Sequence, residues 1–458
     1  MAPHRVRRPR LASGRRSPRA ASRGFHHGLP VLAISLLLAP IGCGEPAPDD
    51  WPQWRGVDSR GISDRSPLPT RWSATTANVR WRTELPGLGN SSPVAAGNRI
   101  YLTTAYADEN PSERVRPDRH RAVLGLDRKT GELLWHRRLF AAPPEGKHRH
   151  NSFAAPTPVT DGEGVVVYFG STLARLDPDG EVVWQHEIDP DYAKYSRYGA
   201  ASSPVFSGDA IIVLQDKEFA DAEEPGWLAA FDRETGERLW RTEWEHTCCS
   251  YTTPLVVDRG AGEEILVAHS GAVTSYSAST GEPLWSHEVE ILQMVGTPVL
   301  HGDLLLVAGG AYNVKGTFAL QLIGSGRETT VEPVWSSRHF APQNASPVVY
   351  RDQLFTVTDQ GIMASYRVRT GELLWNHRLG HMHNRASLVA GDGKVYVSST
   401  GGTVAVVAAE ETFQLLAEND FDEPGTNASP AIVDGCLLIR TRAHLTCVER
   451  EPDTGDRD

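Results

Sequence analysis

From residue 78 onward the chain is built of short runs in which apolar and polar residues alternate, separated by turn residues. Alternation with period two, rich in β-branched and aromatic residues, makes strands rather than helices. One phrase recurs eight times: Ser/Thr-Pro, an apolar pair, a turn, then an alternating strand. Its copies begin as NSSPVAAGNRIYL (90–102) and APTPVTDGEGVVVYF (155–169) and end as ASLVAGDGKVYV (386–397) and ASPAIVDGCLLI (428–439). A third alternating run follows each copy, such as AVLGLD (122–127) or WLAAFD (227–232). A fourth begins at a turn and carries a tryptophan. The six residues TGELLW stand unchanged at 130–135 and again at 370–375.

The tryptophans of this fourth run fall at positions 81, 135, 184, 240, 285, 335 and 375, and an eighth slot falls near Leu416. Units of about 45 residues with four short strands are the signature of a β-propeller. The sequence therefore predicts an all-β, eight-bladed propeller of four-stranded antiparallel blades over residues 78–450. The last unit offers only three strands, whereas NVRWRTEL (78–85) precedes the first unit and has no partners. The simplest arrangement uses 78–85 as the outer strand of the eighth blade, so that the two ends of the chain close the ring. Each TG turn then joins the third strand to the outer one, with the Trp filling the wedge between sheets.

The ends differ from the body. Residues 1–42 carry eight Arg and no acid, which leaves a net charge of −19 on the remainder. So acidic a body argues against nucleic acid and against a general attraction to anionic lipid. A basic stretch, the apolar run VLAISLLLA (31–39) and then Pro40-Ile41-Gly42-Cys43 read as an export signal, too short to span a membrane. Gly42-Cys43 resembles a bacterial lipoprotein processing site, with Cys43 the lipidated residue and Pro40 a departure from the usual pattern. A plain secretory signal cut nearby is the alternative. Residues 43–77 then form a tether and the segment DWPQWRG (50–56), and 451–458 a loose tail. The expected location is periplasmic or cell-surface, with the membrane reached only through a lipid.

The strings LGLDRKTGELLW and LAAFDRETGERLW, and more loosely SYSASTGEPLW, resemble the Trp-docking motif of the pyrroloquinoline quinone (PQQ) propeller family, and DWPQWRG resembles the start of many of its bacterial members. That family includes quinoprotein alcohol dehydrogenases and BamB-like outer-membrane assembly lipoproteins. The resemblance covers nearly all of 50–450. It implies the fold and says little about activity, because the shared residues are structural.

Propeller geometry places the residue three before each Ser/Thr-Pro proline beside the central channel. Blades 1 to 8 present Asn90, Ala155, Ala201, Tyr251, Val295, Asn344, Arg385 and Asn427 there, with Leu388 in the Pro slot of blade 7. The polar arc Asn344, Arg385, Asn427 and Asn90, continued by Tyr251 further round the ring, is the candidate ligand site. It suits a carbonyl, carboxylate or peptide group; alternatively each Asn satisfies backbone groups at its own strand entry. Cys248-Cys249 leads into Tyr251. Neighbouring Cα atoms stand about 3.8 Å apart, closer than an ordinary disulfide prefers, so a bridge between them would be strained and reducible. Quinoprotein alcohol dehydrogenases carry such a pair beside PQQ, but it lies early in their chains. Their calcium-ligating acid and amide find no register here. Cys436 and Cys447 lie on consecutive strands of blade 8 and form either a cross-strand bridge or two buried thiols. HRHN (148–151) and HMHN (381–384) lead into inner strands, and two such pairs fall short of the three or four convergent ligands of a metal site.

These features together predict an exported binding or scaffold propeller, BamB-like, without a cofactor, that docks an exported polypeptide or small ligand at the channel mouth. A PQQ- and calcium-dependent dehydrogenase using Cys248-Cys249 is the alternative.

Overall fold

The computed structural model describes residues 50–107, 119–216, 225–244 and 249–450. The export signal, Cys43, Cys248, most of the acidic stretch KEFADAEEPG (217–226), which the sequence marks as a surface hairpin inserted in blade 3, and the 451–458 tail lie outside the described residues. The described chain is almost entirely strand, with one helical turn (Tyr192–Tyr195) and two 3-10 turns. Eight sheets form the predicted propeller. Blade 1 comprises Val94–Ala96, Arg99–Tyr106, Arg119–Asp127 and Leu133–Ala142. Blade 8 comprises Ala431–Val433, Cys436–Arg440 and His444–Val448, and its outer strand is Val79–Glu84, with Trp81 opposite Cys447. The ring is therefore closed by the beginning of the propeller sequence, as expected.

Strands two and three of each blade are buried on both faces, so every core lies between two neighbouring sheets. Tyr101 and Val123 of blade 1, for example, pack with Val165, Val167 and Ala174 of blade 2. In all eight blades the pairing of third and fourth strands shifts register at the tryptophan slot. The extra residue of such a bulge re-aims its neighbour. Leu134 and Leu239 are turned outward, and the next residue, Trp135 or Trp240, is turned into the wedge. The bulge also corrects the eighth slot: in blade 7 it falls on Ala417 rather than Leu416. An indole is still buried in that wedge, because Trp72 from the N-terminal segment packs in the same core as Ala417 and Phe421.

Five of the inserted tryptophans hydrogen-bond to the following blade, whereas Trp285 donates to Glu264 of its own blade. Trp135 Nε1 donates to Pro178 O at 3.0 Å, Trp240 to Ala278 O at 3.0 Å and Trp375 to Glu410 O at 3.0 Å. The TG glycine makes room for the ring. Gly131 and Gly371 have φ of 73° and 71°. A Cβ on Gly131 would lie 2.3 Å from Trp81, and one on Gly371 2.5 Å from Trp335. The turn needs a residue that tolerates left-handed backbone, and the indole needs one with no side chain. Thus each TGELLW copy receives one tryptophan at its glycine and sends another onward.

Around the channel the blades are joined by a second device. The backbone N–H of the Ser or Thr before each proline slot donates to the hydroxyl of its counterpart one blade on. The bonds run Ser92→Thr157, Thr157→Ser203, Ser203→Thr253, Thr253→Thr297, Thr297→Ser346, Ser346→Ser387, Ser387→Ser429 and Ser429→Ser92, all between 2.9 and 3.1 Å. Eight side chains form one closed ring, buried throughout.

Residues 50–77 are not a free lead. Trp51 pairs with Ala95 in blade 1, Pro52 O accepts from Thr160 N in blade 2, and Arg55 donates to Pro347 O in blade 6. Ile62–Ser63 adds in parallel to the inner strand of blade 7. The segment thus crosses the channel among the inner strands, with Trp51 and Arg55 almost fully buried. Burial without an acid partner lowers the Arg55 guanidinium to about 9.

Replacing Ser429 with Ala removes one acceptor and leaves the buried Ser387 N–H unpaired. A loss of about 1–3 kcal/mol is expected. Denaturant unfolding measures it, and Ser429→Thr, which matches the hydroxyl of blades 2, 4 and 5, should cost less.

Candidate functional site

All eight positions that the propeller register assigns to the channel line one cavity of about 330 Å³: Asn90, Ala155, Ala201, Tyr251, Val295, Asn344, Arg385 and Asn427. Hydroxyls of the ring, including Ser92, Thr157 and Ser387, lie beneath them in the same wall. Trp54, carried by the crossing segment, also lines the cavity. Its neighbours Trp51 and Pro52 bond to inner strands several residues past the mouth. The cavity is therefore a cup with an indole in its floor, set in the mouth of a channel that the segment fills below.

The polar arc is assembled, and its amides are already engaged. Asn427 Nδ2 donates to His150 O at 2.7 Å and Asn90 Nδ2 to the same oxygen at 3.1 Å. Asn344 Nδ2 donates to Asp359 Oδ2. Both readings of these residues hold together, since each Asn ties down local backbone or carboxylate while lining the cup. Arg385 is a quarter exposed and stands 3.9 Å from Asp359. Burial raises the Asp359 carboxyl above the usual range, against the pull of Arg385 and the hydrogen bonds from Asn344.

His148 and His150 line the cup as well, on the connection from blade 1 to blade 2. That loop is stitched in place: His148 N donates to Tyr198 O, and Asn151 Nδ2 donates to Tyr198 O and Ala200 O. The His148 ring lies 5.3 Å from that of His150 and 6.0 Å from that of Tyr198, whose own ring meets Tyr251 at 6.2 Å. Desolvation lowers both imidazoles below the ordinary value, helped by the positive charges of Arg385 and Arg149. His381 and His383 of the second pair do not line the cup. Among the described residues no three His, Cys, Asp or Glu side chains converge.

Register alone was silent about Trp54, Tyr198, Tyr312 and Asp359. Trp54 sits in a segment whose path cannot be read from a period, and the others lie on connections of irregular length. The repeated register found the wall, and only the folded chain shows the floor and the loops above it.

The cysteines resolve in part. Cys249 is disulfide-bonded and does not itself line the cup; its carbonyl accepts from Met294 N at 2.9 Å. Cys436 and Cys447 are not bridged but are buried free thiols. Leu438, not Cys436, lies opposite Cys447, so the pair is diagonal. Diagonal Cα atoms stand roughly 7–8 Å apart, beyond the range of about 4.4–6.8 Å that a disulfide spans. The Cys436 thiol instead donates to Asp434 O at 3.7 Å, and the interaction of the two neighbouring thiols, as the largest cause, lowers Cys436 and raises Cys447.

The sequence matches the family model described as outer membrane protein assembly factor BamB over residues 61–222 and 224–455. The chain belongs to this family. One similar relative is the family protein of Burkholderia pseudomallei, 23% identical over 367 residues, covering 77% of this chain and 81% of its own. The Escherichia coli protein is 23% identical over 396 residues, covering 74% of this chain and 91% of its own. Among solved structures, BamB from Moraxella catarrhalis superposes with a TM-score of 0.57 at 14% identity, covering 81% of this chain and 99% of its own. Quinohemoprotein alcohol dehydrogenase from Comamonas testosteroni superposes at 0.58 with 13% identity, covering 89% and 82%. These structural likenesses carry the fold.

The quinone cofactor of such dehydrogenases does not fit the cup. A calcium ion takes six to eight oxygens, carboxylates among them. No described Asp or Glu lines the cup, and Asp359 behind its wall is already held by Asn344 and Arg385.

In the native protein, Cys436 and Cys447 should be silent to an aromatic disulfide reagent, and both should react once it is unfolded. Rapid reaction of the native chain would show that blade 8 opens.

Proposed function

We propose that this protein is an exported, lipid-anchored, non-catalytic propeller of the cell envelope that docks an exported polypeptide at its channel mouth. The observation that carries the reading is the convergence of all eight ring positions on one cup, with hydrogen-bonding and cationic groups in its wall and, among the described residues, no paired acid and base of the kind that proton transfer needs. The relatives' name, outer membrane protein assembly factor, supports a role among envelope polypeptides. A lipid on Cys43 supplies the membrane attachment in this reading. Among the described residues no helix is long and apolar enough to cross a membrane.

Arg385 and Asn427 lie on adjacent blades and contribute no core packing, so the double variant Arg385→Ala/Asn427→Ala should fold normally. Cross-linking in envelope extracts should show its capture of a polypeptide partner weakened about tenfold, the loss of roughly 1.4 kcal/mol. Unchanged capture would remove the cup from the reading. A separate mixing experiment tests catalysis. Protein incubated with PQQ and calcium and then gel-filtered should carry no quinone absorbance; retained quinone with dye reduction by an alcohol would end the non-catalytic reading.

A further inference from the structure

We propose that the cup captures the free carboxylate end of a polypeptide chain, an inference that rests on the docking role above and names what that site recognises. Three independent features of the molecule lead to it.

The first is the floor. Trp54 and the crossing segment fill the channel beneath the cup, so a polypeptide cannot thread through the ring. A cavity of about 330 Å³ lies at the small end of ligand pockets and suits the end of a chain better than its middle.

The second is charge. The remainder of the chain is strongly acidic, yet cationic and ionisable basic groups gather at this mouth from two separate connections. Arg385 comes from the connection between blades 6 and 7. Lys147, His148, Arg149 and His150 come from the connection between blades 1 and 2, and their loop is held over the mouth by Asn90 and Asn427. The opposing charge is Asp359, set behind Arg385 and bonded by Asn344. Arg385 touches it only at 3.9 Å and so keeps donors for a second carboxylate, which a guanidinium grips in bidentate fashion.

The third is an apolar lip. Across the ring from the histidine loop, blade 5 presents Leu292, Tyr312 and Val314, which are 40%, 81% and 36% exposed. Tyr312 is held at a positive φ of 54° at a hairpin tip and lines the cup. Positive φ recurs at the hairpin tips of other blades, as at Arg351 and Asp392, and what sets Tyr312 apart is its exposure beside the cup. A chain whose carboxylate reaches Arg385 would lay its preceding residues on this lip. A small free carboxylate would leave the lip bare.

Binding should strengthen as pH falls. The groups facing the two imidazoles are Arg385, Arg149, Lys147, each other and Asp359. Desolvation first, and the surrounding cations after it, lower both imidazoles below the ordinary value, so acidification adds positive charge next to the bound anion.

The test uses the full mature chain and two fluorescein-labelled peptides ending in Leu-Ala-Leu, identical except that one carries a free carboxylate and the other an amide. Fluorescence anisotropy should show the acid bound at least about tenfold more tightly, with the gap widening several-fold between pH 7.5 and 5.5. Arg385→Gln should erase the difference between the peptides. Tyr312→Ser, at a site exposed enough to leave folding untouched, should weaken both peptides alike. Equal binding of acid and amide would overturn the carboxylate claim and leave polypeptide docking standing. Displacement of the acid peptide by inorganic phosphate more readily than by N-acetyl-leucine would show a phosphate site instead and overturn it. So would failure of the acid to saturate by about 1 mM, the weak limit of docking, since envelope capture that still depends on Arg385 would then need another epitope.

Discussion

At every blade entry a backbone N–H faces the centre of the molecule, where water is excluded and an unpaired donor costs about 1–3 kcal/mol. The protein satisfies all eight with one another's neighbours, each N–H meeting the hydroxyl of the Ser or Thr on the following blade. Such a chain of bonds is complete only when the last blade meets the first. Ser429 donates to Ser92 at the same seam where residues 79–84 join blade 8. The hydroxyl ring at the channel and the tryptophans in the outer wedges therefore impose one requirement from two radii: every blade must have a neighbour on both sides. Local contacts build the blades. Closure brings together residues about 350 positions apart, and the loop-closure entropy is recovered through these two sets of bonds.

The cup is a consequence of that closure. Its wall consists of the residues two positions before the ring hydroxyls, so any change in blade number or ring geometry would displace Asn90, Asn344, Arg385 and Asn427 together. A rigid ring also lets the connections differ without disturbing the frame. The blade 1–2 connection can fold over the mouth and carry histidines because Asn90 and Asn427 hold its His150 carbonyl. The floor is laid by the segment before the propeller, which uses inner-strand edges that would otherwise stay open. An acidic disc thus carries a small basic recess.

How much of this could be read from residues alone follows from what repeats. Strand number, blade number, closure by Val79–Glu84 and all eight wall positions are written in a register that recurs every 45 residues or so, and the structure has them where the register puts them. The Trp slot of blade 7 went to Ala417 rather than Leu416, because a bulge adds a residue that a simple count misses. Of the two states open to Cys436 and Cys447, the structure has the buried thiols, because a two-residue offset between adjacent strands, which no periodic register fixes, sets them diagonally. Features that occur once, such as the path of Trp51 to Ser63 or the placing of Asp359 behind Arg385, depend on tertiary packing and have no periodic signal. Family membership likewise follows from the structural residues of the repeat. Recognition is set by connections on which the repeat places no constraint.

The central claim is that one continuous ring of hydrogen bonds, closed by the N-terminal strand, fixes the frame in which the cup exists. Native-state amide hydrogen exchange of the eight Ser and Thr entry residues tests it most directly, because the amides themselves are the donors. The account predicts that the segments containing Ser92 and Ser429 exchange as slowly as those containing Thr253 and Thr297, all eight opening only with global unfolding. Fast exchange confined to Ser92 and Ser429, with the opposite side of the ring still protected, would show that the seam stands open and that the frame does not depend on closure.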